Sequence, residues 1–343
     1  MRDLLTRRVR LLLPAVAIVA LFAAVACGGD DDDEPTPAAE ATTPAAQATT
    51  AASPSATTPA AAYPVKVTDL LGREVEIKAK PETIVALSPT ATELVYAAGG
   101  EVAGRTSSVD YPEAAKAATD VGTAYQPNFE AILALKPDLI VADSVIHAQP
   151  NLRQPIEQLP VPVIFAGADS YQHVLDGLTL MGEVLDAQAT TETVIADITK
   201  ARDEAKAAIA GKQVSAVALI ADRDNTLYAA KDASFAGDIL KQLGISNPAA
   251  PQPDSGPFPG YTTLAAEKLV EFNPDFIFAI TPAPPPAPRL AELIPTIPPF
   301  RGLKAVTQNH VVDADVQIFL QAPGPRIAEA FKVVAGAVMG SAN

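Results

Sequence analysis

Cys27 is the one cysteine in 343 residues, so the chain carries no internal disulfide and the thiol is either free or used where it sits. It sits at the end of an apolar run, residues 11–26, preceded by Arg2, Arg7, Arg8 and Arg10. A basic start followed by a short apolar run is the layout of an export signal, and this run falls below the roughly 20 apolar residues that a membrane span needs. The three histidines, His147, His173 and His310, are far apart and form no short-spaced pair such as His-x-His. A resident metal would need several convergent His, Asp or Glu ligands, so no metal site and no resident cofactor are expected. The chain has no Gly-x-Ser-x-Gly nucleophile elbow, no Gly-x4-Gly-Lys phosphate loop and no His-Glu-x-x-His pair. No residue is therefore assigned as catalytic, and the expectation is a protein that is not an enzyme. A hydrolase with catalytic groups scattered on an α/β fold, a direct metal-ion binder and a surface scaffold stay open as alternatives. Thr90-x-x-Glu93 has the spacing of a capping box. Arg105, Arg223 and Arg301 could pair with the carboxylates of an anionic ligand or simply lie on the surface.

The segment Ala24-Val25-Ala26-Cys27 resembles a bacterial lipobox, in which the cysteine takes a diacylglyceryl group and becomes the mature N-terminus; Ala24 stands where leucine is usual. An uncleaved signal with an incidental cysteine is the other reading. After the acidic run Asp30 to Glu34, 24 of the 28 residues from Pro35 to Ala62 are Ala, Thr or Pro. Such a stretch has no large apolar side chains to offset its ordering entropy and reads as a tether. Removing residues 1–26 takes away four arginines and one aspartate, moving the formal charge from −15 to −18. Nucleic acid is thereby excluded as a partner, since phosphate binding needs a concentrated basic face.

What would position any site is an α/β body of about 280 residues starting at Tyr63. Strands are expected at Ile84–Leu87, Leu139–Ala142 and Val163–Phe165, with helices at Thr92–Ala98 and Phe129–Leu135. A second stretch mirrors the first, with strands at Val214–Ile220 and Phe276–Ile280 and helices at Phe235–Leu243 and Leu264–Glu271. Phe272-Asn273-Pro274-Asp275 echoes Leu135-Lys136-Pro137-Asp138, a weak internal repeat. Between them, Ser170 to Ala210 has helical spacing only. The expected divisions are a signal peptide at 1–26, the lipidated cysteine and tether at 27–62, an N-terminal lobe at 63–168, a linking helix and a following helix at 169–211, and a C-terminal lobe at 212–343.

Three segments together carry a family resemblance. They are Thr68-Asp69, Gly72-Arg73 and Pro81 followed by residues 84–99; then Val109-Asp110-Tyr111-Pro112, Gly122, residues 128–132 and 135–139; then Pro323-Gly324-Pro325-Arg326. In order and spacing the chain resembles the helix-linked binding proteins of ABC importers for ferric siderophores, haem and cobalamin, most of all the cobalamin-binding branch, although it has no tryptophan. The resemblance implies two Rossmann-like lobes joined by a single long helix, with the ligand in the cleft between them. It implies a cargo of the metal-chelate kind, a corrinoid or a ferric siderophore, whose cobalt or iron travels with it. It also implies a permease and its ATPase as partners, a monomer, and an extracytoplasmic place on the membrane through Cys27. By the same resemblance Glu93 and Glu267 are the carboxylates that dock on the permease, one per lobe, with the capping role of Glu93 still open. Arg326 reads as structural. The expected ligand loops are Tyr125-Gln126, Ser144 to His147, Tyr228, Phe258 to Tyr261 and 317–320, so that Tyr125, Gln126, Ser144, His147, Tyr228, Phe258, Tyr261 and Phe319 are the candidate contacts.

Overall fold

The computed structural model describes residues 63–340 apart from 223, 225 and 285. Cys27 and the signal, lipobox and tether expectations lie outside the described residues. In chain order the first part runs β1 (Val65–Thr68), β2 (Glu74–Ile77), β3 (Ile84–Ala86), α1 (Pro89–Ala97), β4 (Gly104–Arg105), β5 (Thr119–Asp120), α2 (Phe129–Ala134), β6 (Leu139–Ala142), α3 (Pro150–Glu157) and β7 (Val163–Phe165). Two helices follow, α4 (Tyr171–Leu185) and α5 (Gln188–Ala208). The last part runs β8 (Ala216–Ala221), β9 (Leu227–Ala230), α6 (Phe235–Gln242), β10 (Tyr261–Leu264), α7 (Ala266–Phe272), β11 (Phe276–Ile280), α8 (Leu290–Leu293), α9 (Lys304–Thr307), β12 (Val311–Ala314) and α10 (Ile327–Met339).

Each part builds one five-stranded sheet. The first has the order β5-β4-β3-β6-β7 and is parallel throughout. The second has the order β10-β9-β8-β11-β12, with β9 antiparallel to both of its neighbours. The strands Ile84–Ala86, Leu139–Ala142, Val163–Phe165 and Phe276–Ile280 are buried at every position. Continuous apolar runs of this kind are what strands covered on both faces require.

The internal repeat has a structural meaning. Lys136 and Asn273 both take left-handed backbone, with φ 53° and 39°, ending α2 and α7 just before a proline that cannot extend either helix. The aspartate after each proline then ties its strand to the neighbouring one. Asp138 accepts the Glu82 and Thr83 N–H groups before β3, and Asp275 accepts the Ser215 N–H before β8. Thr68-Asp69 and Gly72-Arg73 form a comparable staple. Asp69 accepts from the N–H groups of Leu71, Arg73 and Phe165, joining the β1–β2 turn to β7.

The all-helical span is an antiparallel pair broken at Asp186, which is left-handed at φ 51°. At 1.5 Å per residue α4 is about 22 Å long and α5 about 32 Å. The start of α4 belongs to the second lobe: the Tyr171 N–H donates to Asp238 of α6 at 2.7 Å, and its ring packs on Phe331 of α10. Further along, α4 packs on α1 of the first lobe through Gly177, where a Cβ would stand only 3.1 Å from a Leu94 methyl. Side chains of both lobes and of α4, among them Val141, Leu178, Phe278 and Phe331, belong to one continuous apolar cluster. A junction packed to crystal-like density moves in small steps.

The helix that opens the first lobe's strand ends is capped by Ser88, whose Oγ accepts the Ala91 N–H at 2.9 Å. Ser88→Ala is expected to lower stability by about 1–2 kcal/mol, measured by urea denaturation.

Candidate functional site

Segments that follow the C-terminal strand ends of the two sheets meet: Glu93 of α1, which follows β3, is ion-paired to Arg326 at the start of α10, which follows β12, and Tyr111, past β4, lies over the same guanidinium at 4.5 Å. Any ligand held between the lobes meets the loops that leave these strand ends, which is where ligands of open α/β sheets are bound.

Three of the eight expected contacts stand on accessible surface. Tyr125 is 62% exposed at the tip of a turn after β5, beside the exposed Gln126. Partial burial, and then the nearby Asp143 carboxylate, raise the Tyr125 hydroxyl pKa and keep it a protonated donor. On the other lobe Phe258 is 41% exposed. It packs edge-on against Tyr228 at 5.2 Å, and the Tyr228 hydroxyl donates to Asp222 at the end of β8. Tyr228 and Ser144 are themselves buried and support these surfaces from beneath.

The other three belong to the core. His147 is fully buried: its Nδ1 accepts the Asp143 N–H at 2.9 Å and its Nε2 lies 2.8 Å from the Ala124 carbonyl. Both ring nitrogens are used by backbone, which assigns the Nε2–H tautomer and makes the ring a clamp between the loops after β5 and β6. Phe319 is 1% exposed and stacked on Phe278. Tyr261 is buried, and that burial pushes its pKa up to about 12 against a hydrogen bond with Ser234. Tyr111, not among the expected contacts, is 46% exposed, and only its place after β4 could have signalled it. Val145, 43% exposed, adds an apolar patch after β6.

The docking expectation needs a correction at Glu93. Its side chain is 2% exposed and its Oε1 accepts from Arg326 Nε at 2.9 Å and Nη2 at 2.5 Å. A carboxylate so enclosed is not offered to another protein in this conformation. The capping reading fails as well, because the cap is Ser88. Glu267 is exposed in the first turn of α7, immediately after β10. Of the three arginines considered for an anionic ligand, Arg105 donates to the Thr106 and Lys116 carbonyls and Arg301 to the Thr296 carbonyl. Arg223 lies outside the described residues.

Burial raises the Glu93 carboxyl to about 7; the Arg326 bond works against this, and Asp110 and Glu329 add to it. Burial also opposes the Arg326 charge, but Glu93, Glu329 and Asp110 outweigh it and hold the guanidinium protonated. The upward direction for Glu93 has a structural cause: its Oε2 is buried with no hydrogen-bond partner. A carboxyl whose folded pKa exceeds its ordinary 4.5 contributes stability that is fully present below about pH 4.5 and lost as pH rises through about 7. Glu93→Gln is expected to remove up to roughly 3 kcal/mol of that pH dependence, measured as unfolding free energy from pH 4.5 to 7.5.

Among the described residues no group of three or more His, Cys, Asp or Glu is placed to hold a metal ion. Two cavities of about 370 and 320 Å³ lie at the opposite strand ends, lined by residues such as Ser215 and Asp275 in one and Pro81 and Gly99 in the other. They contain none of the candidate contacts.

One parallel and one mixed sheet, each covered by helices, with exposed aromatic residues on their loops, define a two-lobe α/β protein. The chain belongs to the periplasmic binding protein family, whose model matches residues 84–317. That is a family of ABC transporter substrate-binding proteins, which are not enzymes. The chain is 25% identical over 284 residues to the uncharacterized ABC transporter substrate-binding lipoprotein YvrC of Bacillus subtilis, covering 80% of this chain and 86% of that one. It is 37% identical to the vitamin B12-binding protein of Salmonella choleraesuis over 95 residues, 28% of this chain and 35% of that one. The fold matches the petrobactin-binding protein YclQ of Bacillus subtilis with a TM-score of 0.70 at 18% identity, covering 80% of this chain and 98% of that one.

Proposed function

We propose that the chain captures a metal chelate, a corrinoid such as cobalamin or a ferric siderophore, between its lobes and delivers it to the permease of an ABC importer driven by an ATPase. It works as a monomer outside the cytoplasmic membrane, anchored through lipid on Cys27, and the cobalt or iron belongs to the cargo. The observation that carries this reading is the set of exposed rings: Tyr111 and Tyr125 on the loops after β4 and β5, and Phe258 packed on Tyr228, whose hydroxyl donates to Asp222 after β8. Flat apolar rings suit a large, partly apolar chelate better than a sugar or amino acid. The names borne by relatives, vitamin B12-binding and petrobactin-binding, support the same class of cargo. Glu267 remains the candidate for contact with the permease in the second lobe.

The chelates are coloured, so gel filtration of the chain with each of them tests the reading. One chelate should elute with the protein at one per chain, and Tyr125→Ala should weaken its retention. Elution of every corrinoid and ferric siderophore apart from the protein would refute it.

A further inference from the structure

Two buried carboxylates of the first lobe are bound by arginine, and they are satisfied differently. Asp69 keeps its pair inside the lobe and fills both oxygens: Oδ1 accepts the Leu71 and Arg73 N–H groups, and Oδ2 accepts Arg73 Nε–H and the Phe165 N–H. Glu93 reaches across to the other lobe. Both prongs of Arg326 fall on its Oε1, and Oε2 is buried without a donor. A carboxylate spreads its charge over both oxygens, so ionised Glu93 leaves part of a buried charge without hydrogen bonds or water.

The surroundings add to this. Glu329 of α10 and Asp110 of the loop after β4 bring further negative charge to Glu93, and both also act on Arg326. Tyr111, half-exposed, covers the guanidinium. Of the other elements packed on α1, β3 and β6 are apolar at every position, α4 meets it at Gly177, and the buried positions of α5 are Thr191, Ile198, Ala201 and Ala205. Once Glu93 is protonated, Oε2 no longer holds a charge that needs a donor, while Asp110 and Glu329 still balance Arg326.

We propose that the Glu93–Arg326 pair is a pH-sensitive latch between the lobes, closed while Glu93 is protonated and released as it ionises. On release Oε2 gains water, Tyr111 loses the cation it covers, and the first lobe is freed from the segment that joins β12 to α10. Nothing in the latch depends on a bound ligand. With the enclosed carboxyl at about 7 and its ordinary value of 4.5 once hydrated, the latch is firmest below about pH 4.5 and weakens as pH rises to about 7.

The Arg326 Nε–H donates to Glu93 Oε1 at 2.9 Å and exchanges with water only when that bond opens. The test follows this exchange by NMR in the chain labelled with 15N-arginine, the signal being assigned by its loss in Arg326→Lys. Rates are divided by those of free arginine at each pH, which leaves the opening constant. That constant should rise at least about tenfold between about pH 5.5 and 7.5, and it should stay flat in Glu93→Gln, whose side chain cannot ionise. The Arg73 Nε–H, bonded to the fully satisfied Asp69, is the control within the same molecule and should show no such rise. An Arg326 opening constant that is flat or falls with pH, or a rise shared by Arg73 or by Glu93→Gln, overturns the latch. So does an Arg326 Nε–H that exchanges as fast as free arginine at every pH.

Discussion

Arg326→Ala is expected to lower stability at pH 7 by about 3–5 kcal/mol, the usual consequence of removing one partner of a buried ion pair. Arg326 supplies both hydrogen bonds that Glu93 Oε1 receives, and Oε2 has none. Without the guanidinium, a carboxyl that is 3% exposed is left with no donor in reach, so it must protonate or admit water into the junction between the lobes. Tyr111 also loses the cation beneath its ring. Arg326→Lys should fall between the two, because an ammonium keeps the charge but cannot reproduce the two-pronged contact. Guanidinium denaturation measures all three proteins. A loss below about 1 kcal/mol in Arg326→Ala would show that the pair contributes no more than an exposed salt bridge.

Gly237→Ala should be at least as severe, above about 4 kcal/mol and sufficient to prevent accumulation of folded protein. A Cβ at Gly237 would stand 1.9 Å from the Lys231 carbonyl oxygen and 2.4 Å from its carbon, backbone atoms that cannot rotate away. That carbonyl also accepts from the Ser234 hydroxyl, and Ser234 caps α6 by accepting the Gly237 N–H. Displacing the turn moves α6, and with it Asp238, which holds the first N–H of α4. The damage therefore spreads from one turn to the connection between the lobes. Gly244→Ala is the control. Gly244 has φ +75° but open space around it, so alanine there should cost only about 1–2 kcal/mol of left-handed strain. A loss at Gly237 no larger than that at Gly244 would mean that the Lys231 turn yields to the added Cβ at little cost.

The two-lobe α/β architecture was legible because its central strands are unbroken apolar runs and because Lys-Pro-Asp and Asn-Pro-Asp mark the same turn twice. The short outer strands were not. β4 and β5 have two residues each, too few for any period to show, and β9 and β10 pair antiparallel across the intervening α6, a contact that their composition, LYAA and YTTL, does not announce. The site divided along a similar line. Tyr125 and Phe258 were named as loop residues and are exposed, although the strands beside them, β5 and β10, were not placed. Residue type alone does not say whether a ring on such a loop points out, like Tyr125, or into the core, like Phe319 and Tyr261. Glu93 was misread for a different reason: the resemblance offered a docking role and local spacing a cap, whereas its partner lies 233 residues away.

The central claim is that a metal chelate is the ligand, and a thermal-shift screen of the chain against cobalamin, cobinamide, haem and several ferric siderophores tests it most directly. A ligand present at 100 times its dissociation constant adds about 2.7 kcal/mol to the folded state, which raises the melting temperature by several degrees. The account predicts such a shift with a corrinoid or a ferric siderophore. No shift with any member of the panel, from a sample that melts cooperatively, would contradict it.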